Sequence, residues 1–250
     1  MLLRRVIEHV KAQNWTAVAL DFIIVVVGVF IGIQVSNWNA AQINAARQET
    51  LLRELTADLR ADIEELDATL EVTRLRFNAA ETLVARASGW RVPNEYPTGF
   101  GTSGGMTQIE REAPEAPKDA VYFAQRYVGF DISRRSFDAL IADGDFTFAG
   151  RPGLASKLRS HYAYAEIWID AEDGRQLAVS RELQKAFLRV GFSIFEDPDW
   201  EELDVLVASD PELAGALKAT AWEAVIQNIV LRQIRADTEA LIKEIEEDDK

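Results

Sequence analysis

The chain has 250 residues, 48% of them hydrophobic, with a mean hydropathy of -0.09, enough for one domain with a sizeable core. Its net charge of -14 and pI of 4.7 oppose phosphate backbones, which excludes nucleic acid as a partner class. There is no cysteine and there are two histidines, His9 and His161. Disulfides, thiolate metal sites and cysteine nucleophiles are therefore ruled out, an all-protein zinc site is opposed, and no cofactor or metal is expected.

Residues 1–14 form a short basic tail carrying Arg4, Arg5 and Lys11. From Trp15 to Trp38 follows a run that is apolar on every face and interrupted by one carboxylate, Asp21. About 20 residues at ~1.5 Å each match the ~30 Å of bilayer hydrocarbon, and the bracketing indoles suit the two interfaces. We read residues 15–38 as a transmembrane helix and the lipid bilayer as a partner. The leading cations, set against a first following cation at Arg47, place the N-terminus in the cytoplasm. No small-x-small cleavage pattern follows the run, so an uncleaved, single-pass signal anchor is expected, with the remainder on the far side of the membrane.

Within the span, Asp21, Gly28 and Gly32 lie at i, i+7 and i+11, and Ala17 extends the same line. Gly28 and Gly32 make a GxxxG, which permits close backbone approach between helices, and an ionisable residue in a span ordinarily faces protein. The stripe predicts self-association or a membrane partner. The competing reading makes the glycines incidental and lets Asp21 reach water.

Residues 39–88 hold no Pro or Gly. Leu52, Leu55, Leu59, Ile63, Leu66, Leu70, Thr73, Phe77, Ala80 and Val84 alternate steps of three and four, predicting an amphipathic stalk helix that continues the span. Packing against later helices of the same chain is preferred over an interchain coiled coil. Residues 89–117 are a Gly/Pro-rich loop, with Trp90, Tyr96 and Phe100 available to pin it.

Residues 118–250 read as a helical bundle with an acidic tail. Helices are expected over Ala120–Tyr127, over Ser133–Ala142 with Ser133 as its cap, and from Pro152 to Asp173-Gly174. Others follow from Arg175 to Val190, from Asp197-Pro198-Asp199 onward, and from Pro211 to the end. The fold class is all-α: one transmembrane helix continuing into a long stalk that packs in an extracytoplasmic bundle.

Gln13-Asn14-Trp15, Asp21 and the stretch Gly28 to Asn39 resemble an uncharacterised bacterial family of single-pass membrane proteins with a helical extracytoplasmic domain of unknown function. Arg135-Ser136-Phe137, Leu140, Gly144 and Leu158 to Tyr162 resemble that family's middle segment. The resemblance implies the architecture and supplies no activity.

No GxSxG, Walker loop or HExxH is present, and Gly99, Gly101 and Gly104 have GxGxxG spacing without a strand before them. His161, among Tyr162, Tyr164 and Trp168, reads as a packed residue. Arg134 and Arg135 are paired cations in an acidic domain, able to meet an anion or a partner's carboxylate or to neutralise neighbouring acids. The function expected is an interaction or scaffold protein of the cell envelope and not an enzyme. The alternative is an extracytoplasmic small-molecule-binding domain that signals through a membrane partner.

Overall fold

The computed structural model describes residues 15–93, 109–142, 152–192 and 196–247. Among these residues the chain is all-helical, with α1 Trp15–Ser88, α2 Pro117–Gln125, α3 Arg135–Ala142, α4 Pro152–Arg189, α5 Trp200–Ser209 and α6 Pro211–Glu247. Two compact units are distinguished, Met1–Leu51 and Leu52–Lys250.

In the first unit the described residues are the opening half of α1. Its large apolar side chains are bare: Leu20, Phe22, Ile24 and Phe30 are 60–68% exposed. This is the one described helix long and apolar enough to cross a membrane.

The second unit is built on the rest of α1. Leu55, Leu59, Leu66, Phe77, Ala80 and Val84 are buried, so the three-four spacing marks the face that packs within the chain. The helix stops at Gly89, whose φ of 72 is the left-handed conformation of a C-terminal cap, and the Gly89 N–H donates to the Ala85 carbonyl at 2.8 Å. Side-chain bridges give the packing order. Arg60 meets Glu246, Arg235 meets Asp67 and Thr73 meets Gln227, so α6 runs antiparallel to α1. Lys157 meets Glu244, and Gln176 donates to the Glu223 carbonyl, so α4 is antiparallel to α6 and parallel to α1. The result is a three-helix bundle whose main cluster includes Phe77, Leu83, Leu183, Phe187, Leu203, Leu217 and Val225.

Three local expectations are corrected. No break occurs at Asp173-Gly174: α4 runs unbroken from Pro152 to Arg189. A mid-helix glycine costs only ~1 kcal/mol, and buried Glu172 and Gln176 flank it on one face, with Gln176 bonded across to α6. Helix α3 starts at Arg135 rather than Ser133, and its cap is borrowed. Asp62 of α1 accepts from the Ser133 N–H at 2.9 Å, and Asp58 accepts from the Ser136 N–H at 3.2 Å. Helix α2 begins at Pro117, where a missing N–H costs nothing, and ends at Gln125. By contrast Asp199 caps α5 as its position suggests, accepting from the Glu202 N–H. The expected stop at Asp143-Gly144, with Tyr96 and Phe100, lies outside the described residues.

Candidate functional site

Among the described residues of the second unit, the buried titratable side chains gather at four places. At the end of α1 Glu81, 2% exposed, ties residues 91–92 to Arg111. Its carboxylate accepts from the Val92 N–H at 2.9 Å, from Arg111 Nε at 2.8 Å and from Arg91 at 3.4 Å. One turn earlier Asn78 donates to the Glu110 carbonyl and accepts from the Glu112 N–H, both at 3.0 Å. Together they form a clamp. Arg86 lies nearby, bound to Asp204 by two hydrogen bonds and stacked over Trp200 at 4.4 Å. Glu81→Ala leaves the Val92 amide without its acceptor and takes the carboxylate away from Arg91 and Arg111. The expected result is a loss of about 2–3 kcal/mol and faster tryptic cleavage after Arg91 and Arg111, read by timed digestion; Glu81→Gln should lose less.

The second place is the centre of the bundle. Arg76 is 1% exposed and donates to Gln176; its Nε and second terminal nitrogen have no partner. Burial pulls its pKa down to about 10, with Tyr127 and the Glu223 carboxylate opposing. Arg175 bridges Glu172 and Glu223 beside it.

The third is the capping pair. Asp62 is 3% exposed. Burial pushes its carboxyl up to about 6, the Ser133 N–H partly opposing, with Asp58, Glu65 and Asp131 adding repulsion. Its second oxygen has no partner, nor has the Tyr162 hydroxyl, which burial and the charges of Asp62 and Asp58 hold above the ordinary range. The Tyr162 ring stacks on Phe137 of α3 at 4.0 Å.

The fourth is a groove of 550 Å³ between α4 and α6, lined by Ser156, Lys157, Ser160, His161 and Tyr164 on one helix and Asp237, Ala240, Leu241 and Glu244 on the other. His161 is 5% exposed, neither ring nitrogen has a partner, and burial pulls its pKa to about 4. It is neutral at physiological pH.

The sequence-predicted residues fall elsewhere. Asp21, Gly28 and Gly32 all lie on α1 and are exposed, and a side chain added at either glycine would meet nothing within 4 Å. Ala17 is on the same helix. Arg134 is held by Glu166 and by Asp138 at 3.3 Å, over the Phe137 ring at 5.7 Å, while Arg135 opens α3 and is exposed. Arg134 thus borders the third place, where its charge partly offsets the carboxylates acting on the Tyr162 hydroxyl. Sequence reasoning missed Arg76, Glu81 and Asp62. Their signal is a charged residue on the apolar line of α1 or next to it.

Residues 21–86 match a family of unknown function (DUF6090). That match lies wholly inside α1, so the likeness noted over residues 135–162 falls outside it. No curated protein and no solved structure matches the chain.

Proposed function

We propose that this is a single-pass protein of a bacterial inner membrane. Its N-terminus is cytoplasmic, residues 15–38 cross the bilayer, and the second unit lies in the periplasm as an interaction or scaffold domain. The observation that carries this reading is the bare apolar stretch of α1. Residues from Leu20 to Val35 leave Phe, Ile and Val side chains 47–68% exposed on all sides, a surface water penalises at ~25 cal/mol per Å² and lipid does not. Arg4, Arg5 and Lys11 before the span support the orientation. Binding rather than catalysis is proposed because Glu81, Asn78, Arg76 and Gln176 are spent on holding helices and segments together.

The test is fractionation with external proteolysis. The full chain should pellet with membranes, and protease added to spheroplasts should remove the C-terminal unit. A chain that stays in the supernatant, or whose C-terminal unit resists the protease in spheroplasts and yields to it after lysis, overturns the reading.

Association in the membrane through Ala17, Asp21, Gly28 and Gly32, with a second copy or with another helix, belongs to the same proposal. In a membrane-embedded self-association reporter, or by capture of a co-expressed partner, Gly28→Ile should lower the signal several-fold by blocking backbone approach. Asp21→Leu should lower it by removing an interhelical polar contact. Unchanged signal in both variants removes the stripe from the account.

A further inference from the structure

Beyond an interaction role, we propose that the groove between α4 and α6 binds a small soluble molecule carrying a primary ammonium group, seated on Asp237 and hydrogen-bonded by His161.

The groove is formed by positions 157, 160, 161 and 164 of α4 and 237, 240, 241 and 244 of α6, each set following the i, i+3, i+4, i+7 face of a helix. At 550 Å³ it has the size of a small-molecule site. Its charge is unbalanced. Lys157 donates to Glu244 at 2.7 Å, which leaves Asp237 as the uncompensated carboxylate. Asp237 accepts from the side chain of Gln233, four residues back, at 2.9 Å, and no described cation is paired with it. A ligand bringing one positive charge restores balance, and a carboxylate–ammonium contact is the stronger kind of hydrogen bond.

His161 points to the same place independently. A buried imidazole whose two nitrogens both lack a partner is an anomaly in a folded protein. Because no hydrogen bond fixes the ring, a half-turn about its Cβ–Cγ bond exchanges nitrogen and carbon positions within the same outline. Lining the groove, it can then present either a nitrogen lone pair or an N–H there. A neutral imidazole accepts a hydrogen bond from an ammonium without repelling it, and the depressed basicity of His161 keeps it neutral. Tyr164 adds an aromatic wall. The Asp237 charge is felt at its hydroxyl, so ring and carboxylate flank the same space, an arrangement that suits a cation. Phosphate and carboxylate ligands are disfavoured by that carboxylate.

The experiment uses the full-length chain in uncharged detergent micelles with isotope-labelled histidine. The only other imidazole, His9, is identified by His9→Gln. Putrescine is titrated at constant ionic strength, with n-butanol as the uncharged control. The expected result is saturable movement of the His161 ring resonances with putrescine, none with n-butanol, and a loss of about tenfold or more in affinity in Asp237→Asn. That variant keeps the oxygen that accepts from Gln233, and its helical circular dichroism should match wild type. Absence of movement at millimolar putrescine overturns the proposal. So does equal movement with n-butanol, or an undiminished response in correctly folded Asp237→Asn.

Discussion

Asp62→Asn should turn a protein whose stability changes little between pH 6 and pH 4 into one that is steeply acid-labile. The sign follows from two buried groups. Asp62 has a folded-state pKa of about 6 against 3.8 when unfolded. The fold takes up a proton there, so stability is gained as the pH falls through 6 and is fully present below 3.8. His161 has a folded-state pKa of about 4 against 6.5, so its contribution is present above 6.5 and lost as the pH falls through 4. Each shift corresponds to roughly 3 kcal/mol at ~1.4 kcal/mol per pH unit. The two are of opposite sign over nearly the same window. Asp237, also raised by burial, adds in the direction of Asp62.

Wild type therefore nearly cancels. Asp62→Asn, which keeps an oxygen for the Ser133 N–H, should be more stable than wild type by ~2 kcal/mol at pH 7 and lose ~3 kcal/mol on descending to pH 4. His161→Phe should do the reverse and gain stability toward acid. Urea unfolding of the full chain in micelles, followed by tryptophan fluorescence across this range, reads both slopes. Parallel pH profiles for wild type and Asp62→Asn would contradict the assignment of Asp62.

Arg76→Ala is the other large expected effect, a loss of about 3–5 kcal/mol. The side chain is the largest fully buried one in the described chain, so alanine leaves a cavity and strands the Gln176 oxygen. It also removes one of two cations that balance Glu172 and Glu223. Arg76→Met separates these causes. Methionine fills most of the space but not the charge, and should recover about half the loss. Adding Glu223→Gln to Arg76→Met restores the balance, leaving Arg175 paired with Glu172. The double variant should be more stable than the sum of the singles by roughly 1–2 kcal/mol. Additive singles would mean that the network works by shape alone. Unfolding midpoints of the four proteins in urea give the coupling directly.

Both predictions rest on charged residues that interrupt a regular apolar pattern, and this marks what was legible in advance. The apolar run between Trp15 and Trp38, the three-four spacing from Leu52 to Val84, and Asp197-Pro198-Asp199 and Pro211 as helix starts are local signals. Each is a property of a few neighbouring residues, and each is found where the spacing puts it. Asp21, Gly28 and Gly32 share a line on any helix, and the stripe proposed for them rests on that spacing. The break expected at Gly174 was the local signal that tertiary contact overrode, through Glu172 and Gln176 on either side of it.

Everything that depends on two distant segments meeting was closed to the sequence. Asp58 and Asp62 cap α3 across more than seventy residues, and Arg76 reaches Gln176 a hundred residues away. The α4–α6 groove exists only because those helices lie side by side. By itself the sequence determined that the chain is helical, which faces are apolar and which stretch suits lipid, because helix periodicity and transfer from water are set residue by residue. Which of its 41 acids and 27 cations lie buried, and which oppose one another's titration, only the tertiary structure decided. Burial and Coulomb energy are functions of distance in space, and spacing along the chain does not encode it.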